Sequence, residues 1–307
     1  MKAIVGEKYG GPERLALREI DRPELEPDSV LVRVHAASVN PYDWHLMRGT
    51  PYVVRLASGL RRPKRIVPGG DVAGIVEEAG ENMTAFQVGD EVFGMCAGSF
   101  AEYVRGREKN LVAKPAGVTL EQAATLPTAG ITALQALRDS GGIEGGQHVL
   151  INGASGGIGT LAVQIAKSFD AHVTGVCSTQ NLELVRSLGA DDVIDYTTGD
   201  FTEQQYDLIV DLVGNRSLRE LRRATAPGGT AVLVAGSITR TMASVARRGF
   251  RPFITRPRTE DLLALKELVD AGKLTPVIDR TYALADAPEA IAYSETGRAR
   301  GKIVIVV

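Results

Sequence analysis

The chain has 307 residues, 35 Lys and Arg against 37 Asp and Glu, and 44% hydrophobic residues; this excludes disorder and collagen-like structure and leaves core enough for one large or two modest domains. A net charge of −2 argues against a dedicated nucleic-acid binder, and no uninterrupted apolar run approaches the ~18 residues of a membrane span. Glycine, at 34 residues, exceeds the average of roughly 7%, which raises the question of whether these glycines are placed or scattered.

The N-terminus, MKAIVGEKYGGPERL, has no apolar signal core. Ser29–Ala36 alternates apolar and polar residues as a half-buried strand does. Asp71–Ala79 and Glu91–Val104 predict further short strands, punctuated by Pro68-Gly69-Gly70 and Val88-Gly89-Asp90. Such spacing predicts a partly closed antiparallel body. The pattern changes at Val118. Thr119 can cap a helix with Glu121 and Gln122 in its first turn, running in two pieces around Pro127 and Gly130 to Asp139.

From His148 the chain alternates strand and helix. His148–Asn152, His172–Val176, Asp192–Asp195, Asp207–Asp211 and Thr230–Val234 read as strands. Gly157–Phe169, Leu182–Leu188 and Asn215–Thr225 read as helices. This alternation predicts a parallel sheet with crossover helices. After Gly236 the chain is basic and irregular, with Arg240, Arg247, Arg248, Arg251, Arg256 and Arg258. Thr259–Gly272 and Asp286–Glu295 are amphipathic helices. Lys302–Val306 is a final strand whose composition matches the first region, so the tail is expected to return there.

The strongest local feature is HVLINGASGGIGTLAVQI over 148–165, an apolar strand and an apolar helix around a glycine turn. Against G-x-G-x-x-G its three positions are Ala154, Gly156 and Gly159. Gly156 lets a pyrophosphate approach the backbone, and Gly159 lets helix and strand pack closely. Free N–H groups at the helix start, together with the helix dipole, suit phosphates. Dinucleotide binding is expected, through Ala154, Ser155, Gly156, Gly157, Ile158 and Gly159. The next strand ends in Cys177-Ser178-Thr179-Gln180-Asn181, without the acid that holds an NAD ribose. The cofactor expected is NADPH. NADH is the alternative, because the run carries no Arg or Lys; Arg300 could supply a cation from elsewhere.

Taken together, Ser38-Val39-Asn40-Pro41-Tyr42-Asp43, Gly69–Val76, Val88–Gly94, Phe100-Ala101-Glu102-Tyr103, Leu126-Pro127, Thr132-Ala133, the glycine loop, Leu188–Asp191, Pro227-Gly228-Gly229 and Gly301-Lys302 resemble the medium-chain dehydrogenase/reductase superfamily. The branch is the zinc-independent quinone oxidoreductase (zeta-crystallin-like) one. The resemblance spans nearly the whole chain. It implies an α/β fold, with a Rossmann doubly wound parallel sheet inserted in a GroES-like, partly closed β-barrel catalytic domain. The corresponding domains are 1–122, 123–257 and a C-terminal return over 258–307. A cleft between domains and a homodimer are implied as well.

In zinc-using relatives the positions of Asn40 and Gly70 are a ligating Cys and a ligating His, with a third ligand near Thr128. Asparagine, glycine and threonine do not make a catalytic zinc set, and Cys96 stands alone where four structural cysteines would be needed, so no metal is expected. Without a Lewis acid, the implied reaction is hydride transfer to a quinone or an α,β-unsaturated carbonyl. The catalytic candidates are Asn40, His45 and Tyr52. Asn40 could bond the nicotinamide or the substrate oxygen, or simply form the turn before Pro41. His45 could donate a proton or lie at the surface, and Tyr42 and Tyr52 are as readily packing residues. The resemblance assigns cofactor contacts to Asn40, Thr132, Ser178, Thr179, Asn181, Tyr196, Val234, Ala235, Gly236, Arg300 and Lys302.

Two basic stretches stand outside this scheme: 55–65, with Arg55, Arg61, Arg62, Lys64 and Arg65, and 240–258. They read as solvated faces, or as contacts for an acidic substrate, a lipid surface or a second subunit. The rival functions are an alcohol dehydrogenase-like reductase of other carbonyls and a non-catalytic NADPH-binding protein. A short-chain dehydrogenase is excluded, since none of the eight tyrosines has a lysine four residues on. The two cysteines, Cys96 and Cys177, form no metal knuckle or disulfide framework and point to a reducing cytoplasm. The expected partner is a small quinone or enone, with no nucleic acid and no membrane span.

Overall fold

The computed structural model describes residues 1–245 and 247–307, without the side chains of Ala57 and Ile238. Ala246, in the basic stretch 240–258, lies outside the described residues. The strands are β1 (Lys2–Val5), β2 (Ala16–Glu19), β3 (Val30–Val39), β4 (Asp71–Ala79), β5 (Glu91–Met95), β6 (Tyr103–Gly106), β7 (Leu111–Ala113), β8 (His148–Asn152), β9 (His172–Cys177), β10 (Asp192–Asp195), β11 (Tyr206–Asp211), β12 (Thr225–Leu233), β13 (Phe250–Pro252), β14 (Ile278–Ala283) and β15 (Lys302–Val306). The chain divides into two compact units. One comprises Met1–Thr128, Pro257–Asp270 and Pro276–Val307; the other comprises Ala129–Arg256 and Ala271–Thr275.

The first unit is built on a sheet in the order β14-β15-β3-β4-β5-β7, with β6 also paired to β3. Strand β3 is its spine. Its β-branched side chains pack with Val72, Val76, Val92, Cys96, Val104 and Leu111 in a dry cluster. The tail does return: β15 runs antiparallel to β3, with Ile303 opposite Val39 and Ile305 opposite Ala37. A second cluster on this unit gathers Ile4, Met47, Phe100, Ile291, Ile303 and Ile305. It seats the helix Pro41–Arg48, whose first turn is closed by a capping box between Asn40 and Asp43.

The second unit holds six parallel strands in the order β10-β9-β8-β11-β12-β13. This is a doubly wound Rossmann sheet, as expected. The strand order reverses between β8 and β11, so their carboxyl ends, Asn152 and Asp211, mark the crevice where such sheets bind ligands. The capping box at Thr119 and Gln122 forms, and the helix after it breaks before Pro127. Helix starts shift inward where caps decide them. The helix expected from Asn215 begins at Leu218, because Ser217 and Glu220 close its first turn. Two elements depart from the irregular reading of 236–258: a helix over Ile238–Val245 and the edge strand β13. Strand β13 is only three residues long and buries Phe250 alone, so it carries no alternation to read.

Candidate active site

The glycine turn follows β8 directly. The amides of Gly153 and Ala154 donate to the Val176 carbonyl at 3.1 and 3.0 Å, and that of Gly156 to Gly153 at 3.1 Å. The next N–H groups differ: those of Ser155, Gly157, Ile158 and Gly159 meet no acceptor among the described residues. They form a cluster of open donors at the start of the helix Gly159–Ser168, the arrangement that suits an anion. The two glycines have separate reasons. A Cβ on Gly159 would lie 2.1 Å from the Gly153 carbonyl and 2.7 Å from the Ala154 backbone, so Gly159 is required by the turn itself. A Cβ on Gly156 would meet only the Gly153 oxygen, at 3.5 Å. None of the described residues needs Gly156 bare, so the space suits a ligand pressed against the backbone.

The turn after β9 completes this side. Asn181 Nδ2 donates to Ser155 Oγ at 3.0 Å and Ser178 Oγ at 3.2 Å. Its Oδ1 is buried without a partner. The structure thus brings Ser155, Ser178 and Asn181 together, with an unspent polar atom among them. It also brings a residue the sequence reading passed over. Thr179 Oγ1 donates to Asp195 at 2.5 Å, and Thr197 holds the other carboxylate oxygen. These bonds hold the Asp195 carboxyl below its usual range. Tyr196 beside it is about half exposed.

At the carboxyl ends of β11 and β12 the amides of Val234 and Ala235 both donate to the Asp211 carbonyl. The Asp211 carboxylate is fully buried and accepts Asn152 Nδ2 at 2.8 Å and the Gly214 amide at 3.1 Å. Its counter-ion is Arg240, which also donates to the carbonyls of Ala235 and Arg216. Arg240 lies against Gly236, where a Cβ would stand 2.7 Å from its guanidinium. The reading of 240–258 as a solvated face or contact surface does not hold for Arg240, whose guanidinium is largely withdrawn from water against a buried carboxylate. Thr132 is buried and bonds Thr255 through its hydroxyl at 2.9 Å.

The first unit carries a different polar centre. Asp71 is fully buried at the start of β4. It accepts Ser38 Oγ at 2.9 Å, Asn40 Nδ2 at 2.9 Å, and both the amide and hydroxyl of Thr128, at 3.1 and 2.6 Å. Lys302, also buried, sits 3.9 Å from the same carboxylate. Its ammonium donates to Asn40 Oδ1 at 2.5 Å and to the Val39 carbonyl at 3.2 Å. Asn40 is therefore clamped: a cation fixes its oxygen and a carboxylate fixes its amide, and turning the amide over would set like against like at both ends. A contact from Asn40 to the nicotinamide or substrate would compete with this network. Lys302, expected at the cofactor, likewise directs two of its donors to Val39 and Asn40 inside this unit. Asp71 was legible only as an acid in an apolar strand.

His45 lies one turn further on. Its Nδ1 bonds the Thr50 carbonyl at 2.7 Å and its ring lies 3.7 Å from that of Trp44. Tyr52 is not brought to Asn40. It is 75% exposed, with the Arg55 guanidinium 4.8 Å from its ring. Arg300 is exposed in the loop before β15.

Residues 26–116 match the family described as Alcohol dehydrogenase GroES-like domain, and residues 188–305 the one described as Zinc-binding dehydrogenase. The human "NAD(P)H oxidoreductase RTN4IP1, mitochondrial" is 36% identical, covering 100% of this chain and 89% of its own. The Arabidopsis thaliana "NADPH-dependent alkenal/one oxidoreductase, chloroplastic" is 34% identical over 99% and 79%. Among solved structures, the quinone oxidoreductase from Coxiella burnetii superposes with a TM-score of 0.89 at 32% identity, covering 100% of this chain and 99% of that one. The chain belongs to the medium-chain dehydrogenase/reductase superfamily, in its quinone oxidoreductase branch, and is an NAD(P)H-dependent oxidoreductase.

The zinc in the second family description does not fit this chain. The positions are an amide clamped by Asp71 and Lys302, a glycine, and a threonine bonded to Asp71. At Gly70 a Cβ would lie 1.4 Å from the Tyr42 hydroxyl, which fills the place a histidine side chain would need. Among the described residues, no three His, Cys, Asp or Glu side chains converge as a metal set.

Proposed function

We propose that the chain reduces quinones or α,β-unsaturated carbonyls with NADPH and without zinc. The observation that carries this reading is the open donor cluster at Ser155–Gly159, with free room above Gly156. Ala154, Ser155, Gly156, Gly157, Ile158 and Gly159 would hold the pyrophosphate. Ser178, Thr179, Asn181 and Tyr196 would hold the adenosine side, Thr132 and Val234-Ala235-Gly236 the nicotinamide side, and Arg300 would add charge. When bound, NADPH supplies a hydride to the electron-poor carbon of the acceptor. His45 can then supply the proton. With Nδ1 donating to Thr50, the proton would come from Nε2 of the imidazolium, leaving the neutral ring with its remaining hydrogen on Nδ1. Asn40, clamped by Asp71 and Lys302, would fix the start of the helix that carries His45. Domains 1–122 and 258–307 would carry the acceptor, and 123–257 the cofactor.

NADPH is chosen over NADH because the run 177–181 holds no carboxylate. Asp195 beside Thr179 limits that preference, since a charged carboxylate repels a 2′-phosphate. We also propose a homodimer, and a reducing, cytoplasmic setting that two buried free cysteines suit. Among the described residues no helix is long and apolar enough to cross a membrane. Purified protein should oxidise NADPH faster when 9,10-phenanthrenequinone or a 2-alkenal is added, with a higher kcat/KM than NADH gives. Tight NADPH binding with no turnover across a quinone and enone panel would favour a binding role instead. Light scattering in solution tests the dimer.

A further inference from the structure

The stretch over 52–66 is left unused by this function. From Trp44 to Gly70 the sequence holds no acidic residue and six cations: Arg48, Arg55, Arg61, Arg62, Lys64 and Arg65. Two of the six are spent internally. Arg48 pairs with Glu295, and Arg55 bonds the Gly49 carbonyl with its guanidinium over the Tyr9 ring. The other four are exposed, and none forms an ion pair among the described residues. Interleaved with them are Tyr52, Val53, Leu56 and Leu60, which are 75%, 55%, 71% and 69% exposed. Large aliphatic side chains this open to water, so close in sequence, mark an interaction surface.

The platform under them is anchored. Tyr9 donates its hydroxyl to the Gly59 carbonyl at 2.5 Å and meets Ser58 Oγ at 2.9 Å. The Lys64 amide reaches the Ser58 carbonyl at 2.7 Å, and the Gly6 amide reaches that of Ile66, also at 2.7 Å. The short helix Val54–Ser58 is therefore held from one side, with Leu56 exposed on it. In the second basic stretch Arg240 is paired with Asp211 and Arg258 with Asp261.

We propose that residues 52–66 dock on an anionic lipid surface, with Val53, Leu56 and Leu60 entering the acyl boundary and Arg61, Arg62, Lys64 and Arg65 meeting the headgroups. The partner follows from complementarity. Apolar side chains bordered by unpaired cations match an interface that is apolar within and anionic at its face. A second copy brings the same four cations, so a two-fold contact would set like charges together. Nucleic acid matches the cations but gives the three aliphatic side chains no apolar phase to enter. The proposal does not rest on the oxidoreductase reading, because its test uses no turnover.

The full chain should co-sediment with phosphatidylcholine vesicles containing about one third phosphatidylglycerol, at least about tenfold more than with phosphatidylcholine alone, and detach in about 0.5 M salt. The variant R61Q/R62Q/K64Q/R65Q should lose that tenfold preference. L56S/L60S should weaken binding to the same vesicles several-fold. Both should keep the parent's Tm within a few degrees, which separates lost docking from lost fold. Equal binding to both vesicle types, or binding that the quadruple variant leaves unchanged, overturns the proposal. So does no vesicle binding together with a dimer that L56S/L60S dissociates, or retention by nucleic acid alone.

Discussion

The two polar centres of the molecule are built on opposite principles. The centre in the Rossmann unit is contiguous and open: among the described residues, Ser155, Gly157, Ile158 and Gly159 present four backbone donors with no acceptor, and Asn181 Oδ1 is buried unpaired beside them. The centre in the barrel-like unit is dispersed and nearly closed. Ser38, Asn40, Asp71, Thr128 and Lys302 come from distant parts of the chain and satisfy one another. Unspent hydrogen-bonding capacity marks where a ligand belongs, whereas a saturated buried network marks where the protein fixes its own geometry. The chain thus places binding potential in one unit and rigidity in the other.

Removing one charge from the closed centre should have the largest effect. Lys302→Met leaves the buried Asp71 carboxylate without its cation, and breaking such a pair costs about 3–5 kcal/mol. Urea unfolding should show that loss. Adding Asp71→Asn should cost less than the sum of the single changes, because the orphaned charge is gone. If NADPH affinity collapses in Lys302→Met while stability holds, Lys302 is a cofactor ligand and the contrast between the centres fails.

The open centre should respond in binding and not in stability. Gly156→Asp places a carboxylate in the space above the turn, where the backbone leaves room for a side chain. Its Tm should stay close to that of the parent, while NADPH affinity drops about 100-fold, or roughly 2.7 kcal/mol. Gly159→Val is the complementary change: its Cβ meets backbone carbonyl, so both fold stability and binding should fall. Fluorescence titration with NADPH, read beside the melting curves, separates the two. Equal destabilisation by both variants would mean that Gly156 serves the turn and not a ligand.

The same contrast explains what the sequence made legible. Strands β4, β8, β10 and β15 lie where their apolar runs and flanking turns placed them. The phosphate turn is one uninterrupted motif, so its residues appear together on the page. The Asp71 network does not, because Lys302 and Asn40 meet only when β15 pairs with β3. Arg240 was hidden for a related reason: only packing shows which arginine of a basic run reaches a buried carboxylate. Strand β14 went unread because none of its residues is buried at the sheet edge, so no apolar alternation announces it. Tyr52 shows the converse, since it was read as a catalytic candidate or a packing residue while the fold leaves its ring open.

The smallest effect is a slope in pH, and it bears on whether the closed centre is fully closed. Asp43 accepts the Asn40 amide through Oδ2 at 2.7 Å, but its buried Oδ1 has no partner. Burial, helped by nearby Asp71 and opposed by the Asn40 amide and Lys302, pushes the carboxyl up to about 7. In the unfolded chain a carboxyl of this type titrates near about 3.9. Between those values the folded chain keeps a proton that the unfolded chain has released. Stability from this group should therefore fall as pH rises from about 4 to about 7 and level off above that. Lys302 acts elsewhere: burial lowers its pKa, so its contribution rises with pH only above the depressed value, toward the ~10.4 of an unfolded lysine. Asp43→Asn keeps an acceptor for the Asn40 amide and removes the titration. Unfolding curves at about pH 5 and about pH 8 should then differ less for the variant than for the parent, by an amount on the order of 1 kcal/mol or more. An unchanged difference would mean that Asp43 is ionised throughout, and that its unpartnered oxygen is a gap in the network that no proton fills.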